Sequence, residues 1–439
     1  MQKKVIGYQK YLPQPLYNWL IRFEMIPYLI KWLILSIAIG CLAGSSSAIF
    51  LTTLDWVTAY RNAHNWVIVL LPLAGWVVGI LYWHFGKTVA SGNNLLIDTL
   101  HHPTQKPIPL LMAPMVYVAT LITHLFGGSA GREGTALQMA GSLADQLHKP
   151  LGLNSYDRKI VLIAAIAAGF GSVFGTPLAG TVFALEVYCI GKINYQALFA
   201  ALAAALIADW VTQHLWQVGH TRYLIGQVPA PDLALLGWCV LAGVVFGICA
   251  AVFSQGMHRA TAFFQRYINY VPLRPVVGGT LVAGAVWLLN DTQYIGLGIP
   301  TMVQAFQMPM PAVAFLLKML FTIVTLASGF KGGEVTPLFF IGALLGNALS
   351  YGMPLPVGLL TGMGFVAVFA GAANTPIACI FMGIELFGAD SGVYIAVACV
   401  VAYCCSGSVG IYSRQQIGEP KHPSWQVHAN AAEKDTSSS

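Results

Sequence analysis

The chain has 439 residues, of which 57% are hydrophobic and only 9% charged, with a mean hydropathy of +0.69. Soluble chains average about 25% charged residues, so this composition excludes a soluble enzyme or binding module and describes an integral membrane protein. The formal charge of +6 comes from scattered Lys and Arg, which excludes a nucleic-acid-binding surface.

In chain order, Lys3, Lys4, Lys10, Arg22 and Lys31 cluster near the start and predict a cytoplasmic N-terminus. Residues 1–28 lack the apolar core of a signal peptide; their Tyr, Trp, Leu and Arg predict an interfacial amphipathic helix. Apolar segments then follow to about residue 410 with no polar domain between them, roughly ten to fourteen in all when compared with the ~20 residues that cross a bilayer. The clearest are 30–52, 66–84, 108–126, 160–188, 195–212, 233–254, 312–329 and 391–409. Others (335–350, 354–371 and 374–388) are short and interrupted by Gly and Pro. Such pieces are tolerated at membrane depth only when buried in protein or lining a cavity, so the pattern predicts a transporter or channel core. The polar stretch from Gly418 to Ser439 is expected to be a disordered cytoplasmic tail. All eight cysteines lie in apolar segments without metal spacing and are expected as buried small hydrophobes; neither a metal nor a cofactor is expected.

One charge stands out. Glu133 lies in Phe-Gly-Gly-Ser-Ala-Gly-Arg-Glu-Gly-Thr (126–135), between long apolar stretches. An intramembrane carboxylate is costly and marks function by default. The glycines bare their amides, and the following Thr-Ala-Leu-Gln-Met-Ala predicts a helix whose positive end faces this loop. Amides at such a helix start, with the backbone of Gly131, Arg132 and Gly134 among them, make an anion site that a carboxylate can itself occupy and leave when protonated. His124, just ahead of the glycines, is expected as a hydrogen-bonded packing residue, and His101 and His102 as residues of a polar loop.

The chain also repeats itself. Gly131-Arg132-Glu133-Gly134-Thr135 is echoed by Gly332-Gly333-Glu334-Val335-Thr336, a shift of 332 − 131 = 201. Thr176-Pro177-Leu178-Ala179 is echoed by Thr375-Pro376-Ile377-Ala378, a shift of 376 − 177 = 199, and Glu186 and Glu385 each follow their proline by nine residues. This predicts duplicated halves, 29–215 and 216–417, with a site between them near the midplane. Glu186 and Glu385 are expected to stabilise helix ends.

Gly-Arg-Glu-Gly at 131–134, Gly-Gly-x-x-x-Pro at 332–337 and Gly-Ile-Tyr-Ser at 410–413 resemble the CLC family of chloride channels and proton-coupled anion transporters. The resemblance implies an all-α polytopic fold of two inverted repeats of tilted, partly broken helices, and a homodimer with one anion pathway per subunit. It implies that Glu133 is the gating and proton-transfer residue, that the amides of Glu334, Val335 and Thr336 face the anion, and that Tyr412 contacts it from the cytoplasmic side. Three departures resemble the bacterial fluoride/proton antiporter branch. The stretch Ala90-Ser91-Gly92-Asn93-Asn94-Leu95 lacks the usual Pro and puts Asn where Ser commonly binds chloride; Thr135 replaces Pro; Glu334 replaces an apolar residue. The implied anion ligand is Asn93, with Asn94 second and Ser91 available if the register shifts. The inner proton-delivering Glu of many exchangers corresponds to Val187, leaving Glu334 either as an inner proton group or as a cap on its own helix. The expected function is export of fluoride from a bacterial inner membrane in exchange for protons, conferring fluoride resistance. Chloride/proton exchange and a passive anion channel are the alternatives. An intramembrane enzyme is not expected, because no nucleophile–base pair or metal-ligand set accompanies Glu133.

Overall fold

The computed structural model describes residues 14–102 and 106–422, with side chains from residue 25 onward. The expected amphipathic segment falls partly outside these residues. Its described part, from Gln14, runs without a break into a single helix, α1 (Gln14–Ala63), which passes through Pro27. After it come α2 (Leu71–Phe85), α3 (Asn93–His101), α4 (Met112–Leu125), α5 (Glu133–Asp145), α6 (Ser155–Phe174), α7 (Pro177–Glu186) and α8 (Leu198–Trp210). The second half holds α9 (Leu233–Tyr267), α10 (Leu273–Leu289), α11 (Ile299–Ala305), α12 (Ala314–Ala327), α13 (Val335–Leu349), α14 (Val357–Ala373), α15 (Pro376–Phe387) and α16 (Gly392–Cys405). A two-residue parallel pair, β1 (Cys189–Ile190) with β2 (Gln416–Ile417), ties the chain end back to the first half.

Four stretches are long and apolar enough to cross a membrane alone: Met25–Ala63, Asn65–Phe85, Tyr195–Leu215 and Leu233–Tyr267. Most of the other apolar helices are shorter, as interrupted segments require. The expected single segment 160–188 is in fact two helices. Gly175 takes the left-handed conformation (φ +71°) that closes α6, and Pro177 supplies a first-turn residue that needs no amide donor. The second half uses the same device: Asn374 (φ +58°) closes α14 and Pro376 opens α15. His101 likewise differs from its expected loop setting, ending α3 with a ring nitrogen 2.7 Å from the Tyr188 carbonyl oxygen.

The repeat is visible as reciprocal bonding. The Glu186 carboxylate accepts from Ile377 N (3.3 Å) and Ala378 N (3.0 Å), and Glu385 accepts from Leu178 N (2.9 Å) and Ala179 N (2.8 Å). Each carboxylate therefore satisfies the free donors at the positive end of the other helix. This is the structural role expected of both residues. The core sits where α13 crosses α14. A Cβ on Gly342 would collide with the Gly364 carbonyl and one on Gly364 with that of Gly342, so two helices meet backbone to backbone.

The helix carrying Glu133 is braced at its other end. Asp145 closes α5 and accepts from Arg158 Nε (2.7 Å) and Nη2 (2.6 Å) and from Ile108 N (2.6 Å), with both charged side chains at most 1% exposed. Removing one partner of a buried pair strands the other charge, at a cost of about 3–5 kcal/mol. Arg158→Met should therefore sharply lower the unfolding temperature in detergent, and Arg158→Met with Asp145→Leu should recover part of the loss. A single variant as stable as the unaltered protein would refute the brace.

Candidate anion-binding site

Two glycine-rich helix starts meet head to head. Gly131 N donates to Gly333 O (2.6 Å) and Gly333 N to Gly131 O (2.8 Å), an antiparallel bridge between the halves. A Cβ on Gly131 would stand 2.8 Å from Pro337 Cδ and 2.7 Å from a Glu133 carboxylate oxygen, so no larger residue fits. The bridge corrects the register of the repeat at this point. Gly131 partners Gly333, a shift of 333 − 131 = 202, not 201. Arg132 and Glu334 then both stand immediately before their helices, and Glu133 matches Val335. Glu334 is therefore not the counterpart of Glu133, as the sequence echo suggested.

Glu133 is wholly buried at the first position of α5. Its carboxylate crosses to the other half, accepting from Thr336 N (3.1 Å), from the Thr336 hydroxyl and from Arg132 N (3.2 Å). Thr336 was expected to turn its amide to the anion; here both that amide and its hydroxyl reach Glu133. Thr135, the residue in place of the usual proline, turns away and shares a hydrogen bond with Thr120 (2.7 Å). Arg132 is buried with its Nε unpartnered, and Gly134 packs against Gly333 and the Asn93 side chain. His124 is fully buried, its ring within reach of the Gly131 backbone, and its backbone carbonyl accepts from Arg61 Nη1 (3.1 Å).

Asn93 opens α3 directly after Gly92, whose φ of +58° favours glycine. Its Oδ1 is buried without a partner, and so is the Tyr412 hydroxyl. Both residues line one cavity of ≈20 Å³, walled otherwise by Leu96, Ile97, Leu137, Ile166, Phe183 and Val187. That is room for about one water-sized species, since a water needs roughly 10–15 Å³ on this measure. The surface this cavity exposes is apolar, so the Asn93 Oδ1 and the Tyr412 hydroxyl border it from buried positions and do not face into it.

Tyr412 is held there from several sides. Ile411 N donates to Ala372 O (2.9 Å), and Gln415 Nε2 bridges Val187 O (2.6 Å) and Ala373 O (2.8 Å). Asn94 is otherwise engaged: its Oδ1 accepts from Arg414 N (3.3 Å), bracing the loop behind Tyr412. Ser91 and Asn94 line a second cavity of ≈200 Å³ but not the small one, whereas Asn93 and Tyr412 line both. Glu334 lies on the larger cavity as well, and makes no side-chain capping bond to α13. Of its two expected roles, the cap is the one the geometry does not support. Another cavity (≈550 Å³) is lined by Asp55, Arg61, Asn65 and Thr301, among others. Asn65 and Tyr82 sit toward opposite ends of the stretch Asn65–Phe85, so this cavity and the ≈200 Å³ one lie near opposite ends of it.

Residues 74–407 match the family model described as voltage gated chloride channel. The chain belongs to the voltage-gated chloride channel (CLC) family. A relative from Pseudomonas syringae pv. tomato, described as a chloride/fluoride channel protein, is 53% identical over 407 residues, covering 91% of this chain and 90% of its own. An H(+)/Cl(-) exchange transporter ClcA from Cronobacter sakazakii is 25% identical over 392 residues, 81% of each chain. Among solved structures, a CLC-type fluoride/proton antiporter matches with a TM-score of 0.86 at 34% identity, over 89% of this chain and 98% of the other. A cyanobacterial Cl-/H+ antiporter matches with a TM-score of 0.76 at 18% identity, over 91% of this chain and 98% of that one, which speaks to the fold alone. The all-α CLC fold of inverted, partly broken helices is thus the fold of this chain, and the family is one of transporters and channels.

Proposed function

We propose that the protein exports fluoride from the bacterial cytoplasm across the cell membrane in exchange for protons, acting as a homodimer and conferring fluoride resistance. The observation that carries the proton-coupled part is the Glu133 carboxylate lying across the amide and hydroxyl of Thr336 at the start of α13. These donors suit an anion, and ionised Glu133 is the anion holding them. Protonation weakens its charge-assisted bonds, each worth roughly 1.5–3 kcal/mol, and frees the donors for the transported ion. In the other direction, an anion arriving between Asn93, Tyr412 and the helix start displaces the side chain and favours its protonated form. One carboxylate thus serves either a proton or the anion, which is the elementary condition for exchange. The inner proton route has no carboxylate at position 187, so Glu334 on the ≈200 Å³ cavity is assigned that part. The halves 29–215 and 216–417 are read as the two repeats that flank this site.

Fluoride as the cargo is supported by the printed descriptions of the 53%- and 34%-identical proteins and by an Asn at position 93. A small, hard, strongly hydrated ion needs good donors in place of its water, and an Asn amide offers two N–H groups to a hydroxyl's one. The energetics favour export. At ~100 mV, inside negative, each charge contributes about 2.3 kcal/mol, so one anion out for one proton in yields about 4.6 kcal/mol, roughly a two-thousand-fold gradient.

The test is purified protein in liposomes, following fluoride and chloride efflux with internal pH. Fluoride should leave much faster than chloride and drive proton uptake. Equal rates for the two anions would overturn the fluoride assignment, and fluoride efflux without proton uptake would make the protein a channel.

A further inference from the structure

The ≈200 Å³ cavity has one basic residue on its wall, Lys331, and the mechanism above gives it no part. Its ammonium donates to Ala90 O at 3.3 Å and stands 4.3 Å from the centre of the Tyr82 ring. Among the described residues no carboxylate lies within ion-pair distance of it, although Glu334 lines the same cavity. An ammonium has three N–H donors, so one long bond and an aromatic face leave much of its capacity turned to the cavity. Holding such a charge without a counter-ion is unfavourable unless the cavity's contents supply one.

The two cavities differ tenfold in size and share Asn93 and Tyr412. The larger has room for an anion with its water, and the smaller for about one water-sized species. We propose that Lys331 is the anion-recruiting residue of the ≈200 Å³ cavity, holding a hydrated monovalent anion before it gives up its water at Asn93 and Tyr412. This rests on the anion-transport reading above and adds a recruiting step that no residue had been assigned. A fixed charge acting through water changes how readily the site fills, not how fast the filled site turns over. Its effect therefore falls on half-saturation and is screened by salt.

In proteoliposomes, Lys331→Met should raise the fluoride concentration for half-maximal flux roughly three- to twenty-fold at low ionic strength, the range expected of one charge across a polar cavity. The saturating rate and the protons moved per fluoride should stay near those of the unaltered protein. Lys331→Arg should restore the half-saturation, and about 1 M of a salt of impermeant ions, where the screening length is ~3 Å, should close most of the gap. Flux by the unaltered protein with unchanged half-saturation in Lys331→Met, a shift indifferent to salt, or failure of Arg to rescue would each overturn the proposal. Absence of fluoride flux from the unaltered protein would instead overturn the antiporter reading on which it stands.

Discussion

Proton uptake by proteoliposomes should fall to the protein-free baseline when Glu133 is changed to Gln, and whatever fluoride still crosses should do so without protons. The two side chains have nearly the same shape, so the substitution tests the proton and not the packing. A Gln carbonyl can still accept from Thr336 N, the bond that the carboxylate makes at 3.1 Å. What it cannot do is alternate between an anion and a neutral acid. Glu133 is wholly buried, and its bonds cross from the start of α5 to the start of α13, tying the two halves together at the site. A neutral amide removes the charge that competes with the transported ion. The measurement is internal pH during an imposed fluoride gradient, with membrane voltage clamped by an ionophore. Sustained proton movement in Glu133→Gln would show that another group carries the proton, and Glu334 would be the next to examine.

Much of this site could be read from local pattern. Glycine runs ahead of helix-forming residues, the Thr-Pro starts and the paired glutamates are signals of short range, and a duplicated chain presents each twice. What escaped was set by contacts between segments distant in sequence. The one-residue error in the repeat register arose because 332–336 and 131–135 align by letters as Gly-x-Glu, while the backbones align by which glycines exchange hydrogen bonds, Gly131 and Gly333. The break inside 160–188 lies at Gly175-Thr176-Pro177, where the left-handed φ of Gly175 closes one helix and Pro177 opens the next; long apolar runs on either side made the span read as one segment. The Thr336 hydroxyl looked like an incidental side chain beside a useful amide, since nothing local says that Glu133 lies opposite. Likewise Asn93 and Asn94 are adjacent and chemically identical. Their separation into a cavity-facing residue and a loop brace depends on Arg414, more than three hundred residues away.

That separation makes the second prediction specific. Asn93→Ser should lower the ratio of fluoride to chloride flux by roughly tenfold or more, while Asn94→Ser should change it far less. Two effects act in the same direction at position 93. Losing a charge-assisted amide contact to the ion removes about 1.5–3 kcal/mol, and each 1.4 kcal/mol is a factor of ten. The smaller side chain also leaves more room beside Tyr412, which relieves the crowding that disfavours a larger anion. Neither effect reaches position 94, whose side-chain oxygen accepts from Arg414 N and whose residue lines only the ≈200 Å³ cavity. Its replacement should loosen the loop that carries Tyr412 and slow both anions together, which lowers the rates and leaves the ratio. Paired efflux traces for the two anions from the same liposomes separate these outcomes. A ratio that moves with Asn94 or with Ser91 and not with Asn93 would relocate selectivity to the wall of the larger cavity. An unchanged ratio in all three variants would place it in the donors of the two helix starts, where Glu133 and the anion compete.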